Sequence, residues 1–173
     1  MFEVNDYVVC GANGVCKVID IVEPSINMCS GKGQYYKLQP VYEKESVLYI
    51  PIENNKVLMR KIISRDEVDT LIKEIQNVEL LSFDSDRECE MKYKEMMRSY
   101  DCREYIKIIR TSYLRNKERL SEGKKATCVD ERYLKMAEDH LYGEFALILN
   151  IAKDKVKEFI LNKVEEEQIK SAV

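Results

Sequence analysis

All three prolines (Pro24, Pro40 and Pro51) and four of the six glycines (Gly11, Gly14, Gly31 and Gly33) lie in the first 51 of 173 residues, and no proline follows Arg60. Proline breaks helices, and glycine supplies the positive φ that tight turns need. A chain punctuated this way holds only short elements in its first third and is free to run long helices afterwards. The pattern predicts an α+β protein, with a small β domain followed by a helical one.

Within the first third, Phe2-Glu3-Val4 and Tyr7-Val8-Val9 read as a first strand, and Gly11-Ala12-Asn13-Gly14 as a hairpin turn. Val15 to Val22 forms a β-branched second strand. Ser30 to Gly33 is a second turn, followed by strands at Gln34–Leu38, Ser46–Ile50 and Val57–Met59. Short strands at this spacing predict a small antiparallel barrel. Beyond it, Ser64-Arg65-Asp66-Glu67 has the spacing of a capping box before Val68, Leu71, Ile72 and Ile75. Further helices are expected over about Arg87–Arg98, from a cap at Asp101 to Arg119, over Asp130–Leu149 and over Lys153–Glu167. On the third of these helices, Tyr105, Ile108, Ile109, Ser112 and Tyr113 are expected to face inward. On the fourth, Leu134, Ala137, Leu141, Phe145 and Ile148 form the apolar stripe.

Apolar residues make up 45% of the chain, enough for a packed core, and charged residues 34%, which suits solvated helices. The Met1–Asp6 segment has neither a basic nor an apolar stretch, so no signal peptide is expected and the protein is expected in the cytoplasm. The longest uncharged run near the C-terminus, Phe145–Ala152, is far too short to cross a bilayer. The six cysteines contain no C-x-x-C pair, and His140 is the only histidine. This disfavours both a zinc site and a disulfide framework, and leaves Cys10 and Cys16 as either structural thiols or a redox pair flanking a turn. No nucleophile–base set, phosphate-binding loop or dinucleotide fingerprint occurs, so the expectation is a non-enzyme without metal or cofactor.

Charge is distributed unevenly. Residues 87–125 carry twelve Lys/Arg against seven acids, while residues 126–173 carry seven against ten. One reading is a solvated helix laced with pairs such as Glu88–Lys92 and Glu90–Lys94. The other is a modest phosphate-contacting face on a protein that a second partner brings to DNA.

The segment Phe2-Glu3-Val4-Asn5-Asp6-Tyr7-Val8-Val9-Cys10, followed by Gly14-Val15-Cys16-Lys17-Val18, resembles the opening of the CarD/CdnL family of bacterial transcription regulators. The resemblance continues through Tyr35-Tyr36-x-Leu38, Tyr49-Ile50-Pro51 and Asn54–Arg60. It extends into the helical half at Ile108–Arg119 and Leu134–Ala146. It implies a Tudor-like or SH3-like β barrel over residues 1–62, shared with transcription-repair coupling factors, that pairs a strand with the RNA polymerase β subunit. It also implies a helical domain over residues 63–173 that contacts promoter DNA and shifts open-complex formation or stability. The matching polymerase-binding positions are Pro24, Val47, Leu48 and Tyr49. The DNA-binding expectation falls on Phe83, Arg87, Lys92, Lys94, Arg98, Lys124, Lys125 and Arg132. Asn5 and Cys10-Gly11 replace the family's usual Gly and Tyr-Pro. The position of the family's wedge Trp falls near Asp86 in a chain without Trp, and Phe83 is the nearest aromatic. The expected partners are polymerase and, weakly and without sequence preference, promoter DNA, with the chain acting as a monomer. The competing expectation is an interaction module on polymerase with little or no DNA contact.

Overall fold

The computed structural model describes residues 1–23, 33–53 and 56–171, and the chain divides into two compact units, Met1–Ile62 and Ile63–Val173. The first unit is a five-stranded antiparallel sheet and the second contains five α-helices, as the α+β reading expects.

The strands are β1 (Tyr7–Cys10), β2 (Val15–Val22), β3 (Tyr35–Pro40), β4 (Leu48–Pro51) and β5 (Met59–Lys61), in the spatial order β4-β3-β2-β1-β5. Period-two alternation sends Val8, Cys10, Cys16, Val18, Tyr36 and Leu38 into one core, which Phe2, Ile21, Leu48, Ile50 and Met59 complete. Three expectations are corrected. Phe2-Glu3-Val4 is not strand but leads into a turn, in which the Asp6 carboxylate accepts the Glu3 N–H at 2.9 Å and Asn5 takes φ 79°. Asparagine tolerates that conformation, so the turn survives without the family's glycine. The fourth strand begins at Leu48 rather than Ser46. The fifth lies at Met59–Lys61 rather than Val57–Met59, because Leu58 C=O accepts from Gly11 N–H and fixes the register against β1. The Ser30–Lys32 part of the second turn lies outside the described residues.

In the second unit, α1 (Arg65–Glu74) starts at a complete capping box. Ser64 Oγ accepts the Glu67 N–H and Glu67 accepts the Ser64 N–H. Side-chain caps at Ser85, Asp101 and Thr127 start α2 (Asp86–Met97), α3 (Cys102–Ser121) and α4 (Cys128–Leu149). A short 3₁₀ turn at Lys153–Lys155 leads into α5 (Val156–Ser171). Helix α4 packs against all four other helices and is buried well beyond the predicted stripe, at Tyr133, Gly143, Glu144, Ala146 and Leu149 as well. Leu134 and Ile148 are only half-buried. On α3, Tyr113 faces outward, against expectation, and Ile106 is buried in the core. Among the described residues no helix is long and apolar enough to cross a membrane.

Candidate docking edge and nucleic-acid interface

Strands β4 and β5 end the sheet on opposite sides, and they differ as docking edges. The Ile52 N–H donates to the Gln34 carbonyl at 2.9 Å, which makes Gln34/Ile52 a hydrogen-bonded pair. Antiparallel pairs alternate, so Tyr36/Ile50 and Leu38/Leu48 are also bonded, while Lys37/Tyr49 and Tyr35/Pro51 are not. The peptide groups of Tyr49 and Pro51 therefore point away from β3. Pro51 sits where its missing N–H costs the sheet nothing. Leu48 and Ile50 pack into the core, which places the half-buried Tyr49 on the other face beside Lys37. No charged residue lies on β4.

At β5 the bonds Gly11 N–H to Leu58 and Ile62 N–H to Tyr7 turn Met59 and Lys61 outward by the same alternation. That edge is blunted. The Arg60 guanidinium covers the Lys61 carbonyl at 3.1 Å, and Lys61 Nζ pairs with Asp6 at 3.1 Å. Of the predicted polymerase-binding residues, Leu48 and Tyr49 lie on β4, and Val47 precedes it, exposed. Pro24 lies outside the described residues.

Residues 2–63 match the CarD-like/TRCF RID domain family. The N-terminal unit is a CarD-like domain. The match stops one residue into the helical unit, so the sheet and both of its edges belong to the CarD-like domain. No curated protein matches the chain. Inside this domain, Cys10 and Cys16 are both fully buried on the core face of β1 and β2. The hydrogen bond to Cys10, together with burial, pushes the Cys16 thiol far above its ordinary range, so it stays protonated at neutral pH.

In the helical unit, the predicted cations separate into two groups. Lys92 pairs with Glu95 at 3.8 Å, Lys124 with Glu122 at 2.6 Å, and Arg132 with Glu90 while lying 4.9 Å over the Tyr133 ring. Arg87, Lys94, Arg98 and Lys125 have no carboxylate partner among the described residues. Three of them share a face. At ~100° per residue, Arg87, Met91, Lys94 and the C-cap Arg98 lie within about 60° of one another along α2. All four are exposed. The expected Glu88–Lys92 and Glu90–Lys94 pairs do not form. Glu88 instead accepts the Asp84 N–H at the helix start, and Glu90 reaches across to Arg132.

Phe83 packs edge-on against Tyr93 at 5.3 Å, with the Arg115 guanidinium 5.2 Å over its ring. Beneath it lies a polar cluster that the sequence reading did not single out. Fully buried Asp130 accepts from Tyr93 Oη at 3.0 Å, Arg115 Nε at 3.1 Å, Thr127 Oγ1 at 2.8 Å. Ser112 Oγ donates to Tyr93 Oη at 3.1 Å. Burial opposes the Arg115 charge, but the bonds and charge of Asp130 still hold it above its ordinary value. In the sequence, Asp130 shows only as a first-turn acid. The residues that bury it come from α2 and α3.

His140 lies within α4, 5.5 Å from the Tyr105 ring, and burial lowers its pKa. Among the described residues, no three His, Cys, Asp or Glu side chains converge as a metal site.

Proposed function

We propose that this protein is a non-enzymatic cytoplasmic transcription regulator. Its CarD-like domain binds RNA polymerase by adding β4 to a strand of the β subunit, and its helical unit touches promoter DNA through the α2 stripe. The single observation that carries the reading is the β4 edge. It is a short, uncharged strand with Tyr49 and Pro51 peptide groups facing outward, in a domain of the RNA-polymerase-interacting class. Strand addition takes its affinity from such main-chain groups and its specificity from alternate side chains. The Arg87/Lys94/Arg98 stripe then supplies sequence-independent phosphate contacts that bias open-complex formation or stability.

The test is co-purification of the full chain with core polymerase and with the isolated β lobe. Tyr49→Asp is expected to weaken association by about 1–3 kcal/mol. Lys61→Ala, on the blunted edge and with an exposed side chain, is expected to leave it unchanged. Unaltered binding by a folded Tyr49→Asp variant would remove β4 as the contact.

A second reading, a polymerase-bound interaction module with little DNA contact, draws on the ion pairs that already occupy Lys92, Lys124 and Arg132, and on the packing of Phe83. Promoter-opening assays on the stripe variants separate the two.

A further inference from the structure

Helices α3, α4 and α5, with the 3₁₀ turn after α1, enclose a groove of about 450 Å³. That is within the ~300–1,000 Å³ of small-molecule sites. Its floor includes Leu141 and Ile160, which are 1% and 7% exposed, and aliphatic side chains such as Ile109, Leu134 and Val164 line it. At the lip, Tyr113 and Leu161 are 59% and 55% exposed, large apolar side chains bordering an apolar trench. An empty space of this kind forfeits dispersion contacts that a fitted chain restores.

Charge decides the class of occupant. Three charged side chains line the groove: Arg110, Lys157 and Glu138. Glu138 is already answered, by Lys157 Nζ at 3.3 Å and Tyr142 Oη at 3.2 Å. Arg110 donates only to the backbone carbonyl of Ile75 and has no carboxylate partner among the described residues. A guanidinium has five N–H donors in a planar fork suited to a carboxylate, so donors remain after the Ile75 bond. We infer that this groove is a binding site for a small anionic amphiphile, a medium-length aliphatic chain whose carboxylate pairs with Arg110. A neutral chain leaves the guanidinium unanswered, and a cationic one meets a net positive lining. The groove shares no residue with β4 or with α2.

Calorimetric titration of the full chain with decanoate, decanol and decyltrimethylammonium, each below its micellar concentration, tests the inference. Decanoate is expected to saturate one site at least about tenfold more tightly than decanol, a difference of about 1.4 kcal/mol. The ammonium compound is expected to give no saturation. Arg110→Gln should abolish the preference for decanoate over decanol, and Leu161→Glu, at the exposed lip, should weaken both ligands. Absence of saturable decanoate binding, equal binding of decanoate and decanol by the parent chain, or a preference retained in Arg110→Gln overturns the proposal. Should Arg110→Gln fail to fold, methyl chemical shifts of the parent chain decide. Decanoate-dependent shifts at Ile109, Leu134, Leu161 and Val164 support the site, and shifts confined elsewhere overturn it.

Discussion

If the helical unit binds DNA as proposed, replacing Arg87, Lys94 and Arg98 together by alanine should remove most of the salt dependence of that binding. Replacing Lys92, Lys124 and Arg132 together should remove much less. The formal charge change is the same, so the contrast isolates ion pairing. Each cation in the first set has no carboxylate partner among the described residues and releases a counterion fully when it meets a phosphate. Each in the second must first give up Glu95, Glu122 or Glu90. At ~0.9 per duplex phosphate contact, the first variant's slope of log K against log salt should flatten by roughly 2.7. Between 50 and 200 mM salt, the parent should therefore lose about 40-fold more affinity than that variant.

Fluorescence anisotropy with a labelled promoter fragment, with and without polymerase, measures both slopes. All six side chains are exposed, and alanine suits the four within helices, Arg87, Lys92, Lys94 and Arg132, so folding should change little. Equal flattening in the two variants would refute the distinction between paired and unpaired cations. No flattening in either would leave the interaction module as the better reading.

Asp130→Ala should cost about 1–3 kcal/mol in urea unfolding, because it leaves the buried Tyr93 hydroxyl without its acceptor and takes from Arg115 the nearer of its two carboxylates; a loss below about 0.5 kcal/mol would contradict that role. Ser64→Ala should cost about 1 kcal/mol by opening the capping box, seen as earlier thermal unfolding of the helical unit. Burial pushes the Cys89 thiol up to about 11 from its ordinary 9.0, so the folded state holds that proton more tightly than the unfolded chain does. Its contribution is complete below pH 9 and is lost as pH rises toward 11. Cys89→Ala should therefore show a shallower alkaline decline in stability than the parent over that interval.

The helices were legible because their signals are local. Capping residues at Ser64, Asp101 and Thr127 and a sustained 3.6-residue apolar period mark their starts and faces. Strand ends were less so. A three-residue strand such as Met59–Lys61 is positioned by Gly11 N–H reaching Leu58, a partner whose register no short-range pattern reveals. Glu90 shows the same limit on the candidate DNA face. Spacing pairs it with Lys94, yet it bonds Arg132, 42 residues away, because α4 brings that guanidinium closer. That exchange leaves Lys94 without a carboxylate partner among the described residues, so a long-range ion pair sets which cations the proposed DNA contact could use.

The same dependence on register distinguishes the two edges of the CarD-like domain. From sequence, Ser46–Ile50 and Val57–Met59 are equivalent apolar runs, and only pairing shows which peptide groups face out. On β4 the outward positions fall on Tyr49 and on Pro51, whose missing N–H limits how far an added strand can continue. On β5 they fall on Met59 and Lys61, where Arg60 occupies a carbonyl and Asp6 holds the lysine. A strand added along β5 as far as Lys61 would have to displace the Arg60 guanidinium from the Lys61 carbonyl, whereas one added at β4 would displace neither interaction. That cost would favour β4 over β5 as the edge of the proposed polymerase contact.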